Sequence, residues 1–263
     1  MGDRMSIESV KMEHVAKKHI VMSGKGGVGK STVAVNLAAS LALSGKRVGL
    51  LDVDIHGPSI PTMVGLRQTS LESEGEKLLP AVIGELNDLK VMSIGFMLES
   101  EDAPVIWRGP MKNGVIKQFL QDVEWGELDC LIVDCPPGTG DEPLSIIQLL
   151  GNADGAIIVT TPQNIAAVDV SKSIKFCEKL NLPITGIVEN MSGFVCPDCG
   201  KVSYIFSKDG GKKLAEKYGV PFLGAIPIDP SVGISGDEGK PYVARFRDSP
   251  ISATYAHISG GLA

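Results

Sequence analysis

The chain has 263 residues, of which 43% are hydrophobic, and its formal net charge at pH 7 is −6. This length suffices for one large α/β domain with a buried core. The acidic charge argues against nucleic-acid binding, which depends on a basic surface, and no apolar stretch is long enough to span a membrane. Five scattered cysteines and a polar N-terminus without a secretory signal predict a cytoplasmic protein.

Apolar strand-like runs alternate with helical stretches along most of the chain. The patterns predict strands over 19–23, 47–52, 89–94, 129–134, 155–160, 184–189 and 222–226. They predict helices over 30–44, 111–121, 142–150, 164–180, 208–218 and 249–260. Several strands are apolar throughout, which is typical of strands buried on both faces. We therefore expect an α/β fold with a doubly wound, mostly parallel sheet, flanked by helices, that binds ligands at the carboxyl ends of its strands.

The whole chain, residues 1–263, is expected to form a single domain. Three segments depart from the alternating pattern. Residues 1–13 are expected to be frayed, residues 66–88 form an irregular surface excursion, and residues 191–207 are an insert that carries a cysteine pair.

The most specific motif is Gly-Lys-Gly-Gly-Val-Gly-Lys-Ser at residues 24–31, between a predicted strand and a predicted helix. It fits the phosphate-loop pattern GxxxxGK[ST], in which backbone N–H groups and the helix N-terminus hold phosphates. Lys30 is expected to reach the β- and γ-phosphates, and the Ser31 hydroxyl to hold Mg²⁺. Lys25 is an addition that the pattern does not require. The expected nucleotide-binding residues of this loop are Gly24, Lys25, Gly26, Gly27, Val28, Gly29, Lys30, Ser31 and Thr32.

Acidic residues end two of the predicted strands. Asp134 opens the segment Asp-Cys-Pro-Pro-Gly-Thr-Gly-Asp (134–141), which fits a Walker B aspartate followed by a phosphate-sensing loop. Asp52 and Asp54 alternate along the end of the second strand and therefore point to the same side, where two acids need a nearby cation. We expect Asp134 and Asp52 to serve Mg²⁺, and Asp54 to orient or deprotonate the attacking water.

The second chemical signal is the pair Cys196-Pro-Asp-Cys199-Gly200. A CxxC turn brings two thiolates within reach of one metal but supplies only half of a four-cysteine site. The residues alone leave three interpretations open: a redox dithiol, a half-site that a partner chain completes, or a pair of inert thiols. The remaining cysteines, Cys130, Cys135 and Cys177, are expected to be packing residues.

Taken together, these motifs resemble the Mrp/ApbC family of iron–sulfur cluster carrier ATPases. This family belongs to the deviant-Walker-A class of P-loop NTPases (the SIMIBI/MinD type), with MinD, ParA and the nitrogenase iron protein. The resemblance rests on residues 24–31 with Lys25, on the segments 52–59 and 134–141, on the CxxC pair and on Asp-Glu-Gly-Lys-Pro at 237–241. It covers nearly the whole chain from about residue 12.

The resemblance implies roles that the residues alone do not establish. Lys25 would reach the nucleotide of a partner subunit, so that ATP joins the subunits of a homodimer. Asn190, Pro227 and Asp229 would contact the adenine. Cys196 and Cys199 of two subunits would bridge one [4Fe–4S] cluster, with zinc possible in its place, and the cluster would pass to apo iron–sulfur proteins.

The function implied is therefore that of a slow, Mg²⁺-dependent ATPase that carries a cluster. The alternative is a positioning ATPase of the MinD/ParA kind with a structural zinc, or no metal, at the CxxC pair. Its membrane-bound and DNA-bound forms are disfavoured by the short C-terminal stretch without Lys or Arg and by the acidic charge.

Overall fold

The computed structural model describes residues 9–55, 57–98, 109–163, 166–196 and 198–263. The strands in these ranges are β1 (Val15–Met22), β2 (Val48–Asp52), β3 (Glu72–Glu74), β4 (Lys77–Leu79), β5 (Ala81–Ile83), β6 (Leu89–Ser93), β7 (Leu128–Asp134), β8 (Gly155–Thr160), β9 (Ile184–Val195), β10 (Val202–Ser203) and β11 (Phe222–Ile228). The α-helices are α1 (Lys30–Leu43), α2 (Ile60–Met63), α3 (Gly109–Gln121), α4 (Asp141–Leu150), α5 (Ala166–Lys179), α6 (Gly210–Tyr218), α7 (Pro230–Asp237), α8 (Tyr242–Arg245) and α9 (Pro250–Ser259). Short 3₁₀ helices cover Gly84–Leu86 and Ile94–Met97.

One large sheet organises the molecule, in the order β5–β6–β2–β7–β1–β8–β9. Both β10 and β11 pair with β9 beyond this row. Every pairing in the sheet is parallel except β5 with β6 and β10 with β9. The predicted doubly wound, mostly parallel α/β fold is confirmed, and β1 lies at its centre between β7 and β8.

The core lies on the central strands and on α1. The strands β2, β7 and β8 consist almost entirely of buried residues, as their continuous apolar runs predict. Helix α1 is rich in alanine and is buried over most of its length, because small side chains allow it to approach the sheet and α9 closely. The helix that follows the phosphate loop is therefore fixed from several sides.

The segments that break the alternating pattern contain more structure than the sequence indicates. Residues 66–88 include the exposed hairpin β3–β4 and the strand β5, which pairs with the edge of the main sheet. The hairpin was hard to predict because it carries no apolar alternation. Within residues 9–13, the prediction of a frayed start is wrong, because Val10 and Met12 are buried and the Val10 N–H donates to the Leu149 carbonyl oxygen.

The strand predicted over 184–189 runs on to Val195, so the cysteine segment begins as a continuation of the sheet. Helices α7 and α8 were not predicted, although Asp229 followed by Pro230 is a typical helix start. The first two residues of the helix predicted over 164–180 lie outside the described residues. Among the described helices, none combines the length and the apolar character that crossing a membrane requires.

Candidate functional site

The phosphate-loop motif lies between the end of β1 and the start of α1. Gly27 and Gly29 have φ angles of +77° and +80°, a region that L side chains rarely adopt. Gly29 also faces a neighbour, because a Cβ placed on it would lie 2.2 Å from Asn190 Nδ2. Gly24 lies equally close to α5, where its Cβ would be 2.5 Å from the Asp169 carbonyl oxygen. The loop therefore needs these glycines, and such a loop at a helix N-terminus presents backbone N–H groups to an anion.

Lys30 is the cation at the centre of the site and is only 6% exposed. Its Nζ donates to Asp134 Oδ1 at 2.7 Å and lies 3.4 Å from Asp54 Oδ2. Burial opposes the charge on the lysine, but the neighbouring carboxylates of Asp134 and Asp54 outweigh this effect and raise its pKa. The side chain stays protonated and faces the position that the sequence assigns to phosphate.

Asp52 and Asp134 form a buried acidic pair, because they are register partners at the ends of β2 and β7. Both are fully buried. Burial, followed by the charge of Asp134, raises the pKa of Asp52 to about 8, although Asp52 accepts hydrogen bonds from Ser93 Oγ and the Asp54 N–H. Burial also raises the pKa of Asp134, against the effect of Lys30. Two carboxyl groups so placed favour a bound cation beyond Lys30.

The residues predicted to hold Mg²⁺ come together here. Ser31 Oγ donates to Asp134 Oδ2 at 2.5 Å, and Asp52 is the neighbour of Asp134 in the sheet. Hydroxyl and carboxylate oxygens are the ligands that Mg²⁺ prefers, with water and phosphate oxygens in the remaining positions. The donor set and the acidic pair therefore fit this ion.

A cavity of about 200 Å³ lies directly over these groups. Its wall combines the phosphate loop with residues that approach from β2, α2 and the loop after β7. The lining residues are Ser23, Lys25, Gly26, Gly27, Gly29, Lys30, Ser31, Thr32, Asp54, Ser59, Met63 and Pro137. Glycines, a lysine and a helix start around one opening suit a polyphosphate.

The segment after Asp134 is attached to the phosphate loop. The Gly138 N–H donates to the Ser23 carbonyl oxygen at 2.8 Å, and Gly138 has a φ of +94°. Helix α4 then begins at Asp141. This contact joins the predicted phosphate-sensing loop to the end of β1, so a change at the phosphates would reach both.

Lys25 contacts its own chain. Its Nζ donates to Gln163 Oε1 at 3.2 Å, and its carbonyl oxygen accepts from Ser23 Oγ. The side chain is half-buried at the rim of the phosphate cavity. Its role toward a partner subunit stays a prediction.

The three residues expected at the adenine occupy different positions. Asn190 is buried behind the phosphate loop, where its Nδ2 donates to the Val28 carbonyl oxygen at 2.9 Å. Asp229 caps α7 by accepting the Ser231 N–H at 2.8 Å, and Pro227 lies near the end of β11. Their contacts with a base stay predictions.

A second cavity, of about 250 Å³, adjoins the phosphate cavity. Thr32, Ser59 and Met63 line both cavities, so the two form one continuous groove along α1. Its far wall consists of α7 and α8, which begin just after Asp229 and Pro241. The groove therefore runs from the phosphate loop to α7.

The cysteine pair lies at the tip of the hairpin formed by β9 and β10. The Cys196 N–H donates to the Lys201 carbonyl oxygen, and the Gly200 N–H donates to the Cys196 carbonyl oxygen, which closes the turn. Hydrogen bonds from the backbone of Cys199 and then of Asp198 lower the pKa of the Cys196 thiol. The turn therefore favours a thiolate, the form that binds metal.

Cys196 is half-buried and Cys199 is exposed, whereas Cys130, Cys135 and Cys177 are buried as predicted for packing residues. Among the described residues, the cysteine pair has no third His, Cys, Asp or Glu placed to complete a metal site. Within this part of the chain the hairpin thus provides two thiolates and no more.

Exposed apolar side chains flank the cysteine pair in the hairpin and follow β10. Five of them are between 46% and 59% exposed: Val195, Val202, Tyr204, Ile205 and Phe206. Exposed apolar clusters of this kind mark surfaces that contact another protein, a membrane or a ligand. We call these five residues the apolar collar.

Two residues that contact the site, Ser93 and Gln163, are not predicted from the sequence. Ser93 holds Asp52 at 2.8 Å, and its position as a polar residue at the end of the apolar run 89–94 was the available signal. Gln163 holds Lys25, but it follows β8 at a point where nothing in the sequence indicates that its side chain turns toward the phosphate loop.

Comparison with known proteins places the chain among P-loop NTPases. An iron-sulfur cluster carrier protein of Methanocaldococcus jannaschii is 54% identical over 232 residues, 88% of this chain and 79% of the relative. A cytosolic Fe-S cluster assembly factor NUBP2 homolog of Dictyostelium discoideum is 51% identical over 249 residues, 94% of this chain and 93% of the relative.

The solved structures lead to the same fold. A nucleotide-binding protein in complex with ADP from Archaeoglobus fulgidus has a TM-score of 0.78 at 42% identity, over 88% of this chain and 89% of that one. The cell division ATPase MinD of Pyrococcus furiosus shares the fold, with a TM-score of 0.65 at 21% identity over 94% and 98% of the two chains. The model of the ParA/NUBPL family of iron-transfer P-loop NTPases matches residues 14–263. The resemblance seen in the sequence is thereby confirmed, and the chain belongs to the NUBPL iron-transfer P-loop NTPase family.

Proposed function

We propose that this protein is a homodimeric, Mg²⁺-dependent ATPase that binds a [4Fe–4S] cluster between its subunits and transfers it to apo-proteins. One observation carries the proposal. The strand β9 contacts the phosphate loop through Asn190 and ends at Val195, directly before Cys196, so a nucleotide site and half of a thiolate site are joined by one element. The names of the relatives, cluster carrier and cluster assembly factor, support the cargo.

The nucleotide site has the groups that ATP hydrolysis needs. Lys30 neutralises charge on the β- and γ-phosphates, and Asp54, 3.4 Å from Lys30 Nζ, orients the attacking water and accepts its proton. Ser31 and Asp134 would hold Mg²⁺, with Asp52 acting through water, and the bound ion would supply positive charge to stabilise the phosphates. We expect slow turnover, because the chain resembles nucleotide-dependent switches.

Three features support a homodimer: the cysteine pair, the apolar collar and Lys25. The cysteine pair supplies two of the four thiolates that a cluster requires, and a twofold axis brings identical patches together. The apolar collar around the pair would be covered by a second copy. Lys25 would exchange Gln163 for the phosphates of the partner's nucleotide and add a cation against the developing charge.

The positioning-ATPase alternative receives little support from the C-terminal helix. The apolar side chains of α9, Ile251, Tyr255 and Ile258, are buried, and the helix packs against α1. They are therefore not available to enter a lipid surface. The fold that the chain shares with MinD is compatible with a positioning ATPase and with a cluster carrier, so it does not distinguish the two functions.

Cluster transfer tests the proposal. Protein reconstituted anaerobically with iron and sulfide would be mixed with an apo-[4Fe–4S] enzyme, and the recovered enzyme activity measured. We expect recovery with the wild type and none with Cys196→Ser/Cys199→Ser. The double variant Cys130→Ser/Cys177→Ser retains the hairpin pair and serves as the matched control. Equal recovery by the hairpin variant would refute the cargo role.

A further inference from the structure

We propose that Asn190 and Met191 are positioning residues that make the placement of the cysteine hairpin depend on the state of the phosphate loop. This inference rests on the proposed function, since it names how the nucleotide site regulates the thiolate site. Three features of β9 support it: the contact of Asn190 with the loop, the irregular backbone at Met191, and the attachment of Glu189 on the preceding side.

The first feature is the contact of Asn190 with one peptide of the loop. Asn190 Nδ2 donates to the Val28 carbonyl oxygen at 2.9 Å, and both residues are buried. A trans peptide places its C=O and N–H on opposite sides. The Gly29 N–H therefore points away from Asn190, toward the side on which a phosphate loop holds its anion. Asn190 therefore binds the carbonyl group of a peptide whose N–H group faces the phosphates.

The second feature is a break in β9 directly after that contact. Met191 has a φ of +57°, unusual for a residue other than glycine. The pairing with β11 also shifts there: Ile226 pairs with Asn190, but Ile228 pairs with Phe194. Four residues of β9 thus span two residues of β11, a bulge that re-aims the strand. The bulge separates the part of β9 inside the sheet from the part that leads to the cysteines.

The third feature makes this bulge a stiff corner. Glu189 is 1% exposed and accepts hydrogen bonds from Ser192 Oγ and from the Gly211 N–H, each at 2.5 Å. The Glu189–Ser192 contact closes across Asn190 and Met191, and the Gly211 contact attaches Glu189 to the start of α6. Because the corner is braced, a displacement of Asn190 is passed along the strand instead of being absorbed.

The lever is short. Cys196 lies six positions after Asn190, a span of at most roughly 20 Å. Val202 and Tyr204 lie against Gly193 of β9, where a Cβ would be 3.3–3.4 Å from their side chains. The last residues of β9 and the segment with β10 therefore move together. When the loop closes on a polyphosphate, the Val28–Gly29 peptide turns, Asn190 follows, and the two thiols change their exposure.

The test measures thiol reactivity in metal-free, reduced, full-length protein. Alkylation by iodoacetamide would be followed by mass spectrometry for Cys196 and Cys199 separately, with and without saturating Mg²⁺–ADP or a non-hydrolysable ATP analogue. The other three cysteines are buried and serve as internal references. In the wild type we expect the nucleotide to change the alkylation rate of the pair at least threefold.

Two variants interrupt the corner at positions that are not among the residues lining the nucleotide cavity. Met191→Gly relaxes the left-handed residue, and Ser192→Ala removes the brace to Glu189. We expect both to bind nucleotide with the wild-type Kd, measured by calorimetry, while the nucleotide effect on alkylation falls below 1.5-fold. Ser203→Ala, an exposed serine of β10, is the matched control and should respond as the wild type does.

The outcomes separate this inference from the proposed function. Nucleotide binding with no change in alkylation, or an unchanged response in both corner variants, would overturn the coupling alone. A protein that couples nucleotide to thiol reactivity but assembles no cluster would overturn the cargo and leave the coupling intact. A wild type that binds no nucleotide would overturn both.

Discussion

At the scale of single residues, the site is defined by charges that burial would otherwise penalise. Lys30 lies between Asp134 and Asp54, and Asp52 lies beside Asp134 with its pKa raised to about 8. Such groups are kept close only where they act together or bind a shared cation. The balance of charges, rather than any one residue, is what suits the site to Mg²⁺ and a polyphosphate.

Asp54 is the residue that we propose as the base for turnover. Asp54→Asn would remove the group proposed to accept the proton from water but retain the size of the side chain. We expect kcat for phosphate release to fall by roughly 10²–10⁴-fold, with nucleotide affinity changed little. Asp129→Asn, which removes the surface ion pair with Arg47, should leave kcat unchanged. Normal turnover by Asp54→Asn would remove Asp54 from the mechanism.

Gly29 gives a prediction of stability. In Gly29→Ala the new Cβ meets Asn190 at 2.2 Å and the backbone holds a φ of +80°. We expect the free energy of unfolding, measured by urea denaturation without nucleotide, to fall by about 1–3 kcal/mol. Gly26→Ala is the matched change, since no atom lies within 4 Å of its Cβ and its φ is not positive. Equal stability of the two variants would contradict the packing of Asn190 against the loop.

At the scale of elements, contacts distant in sequence hold the termini of the described chain against the sheet. His19 on β1 contacts the Leu262 carbonyl oxygen through Nε2 at 2.9 Å and Thr185 Oγ1 through Nδ1 at 3.3 Å. Ser40 of α1 contacts Ser259 of α9 at 3.0 Å. These bonds fix α9 on α1, the helix that begins at the phosphate loop.

His19 makes stability depend on pH. Burial lowers its pKa, although the Leu262 carbonyl oxygen acts in the opposite direction. The unfolded chain therefore takes up this proton more readily than the folded one, and the free energy of unfolding should decrease as pH falls below about 6.5. His19→Gln should reduce that decrease in urea denaturation series between pH 5 and 7.5, whereas exposed His257→Gln should not. A wild-type slope in His19→Gln would show that other groups cause it.

The helix α7 depends on its cap. Asp229→Ala loses the hydrogen bond to the Ser231 N–H and should lower the free energy of unfolding by about 0.5–2 kcal/mol. Asp229→Asn retains a capping oxygen and should unfold close to the wild type. Thermal denaturation of both variants without nucleotide would check this. A destabilised Asp229→Asn would mean that the carboxylate charge, and not the cap, is what matters.

At the scale of the whole molecule, regular elements were more predictable than the connections between them. Strands and helices with strong periodicity were found within one to four residues at most boundaries, and the phosphate-loop motif was recognisable because its chemistry demands a fixed local order. Asp52 and Asp134 could be proposed as neighbours because parallel strands end at one edge. The positive φ of Met191, the brace on Glu189 and the contact of Lys25 with Gln163 arise from tertiary packing, which local sequence does not encode.

The whole molecule therefore combines a nucleotide site at the centre of the sheet with a thiolate hairpin at the end of β9. We propose that the cysteine pair is half of a cluster site that a second copy completes. A cluster shared between two copies would account for the hairpin, its lowered Cys196 pKa and the apolar collar together.

The most direct measurement is the iron, sulfide and zinc content per dimer after anaerobic reconstitution, with the oligomeric state measured by light scattering on the same sample. We predict about four irons and four sulfides per dimer for a [4Fe–4S] cluster, and their loss, with a shift toward monomer, in Cys196→Ser/Cys199→Ser. One tightly held zinc per dimer, no metal at all, or a full cluster in that variant would contradict the account.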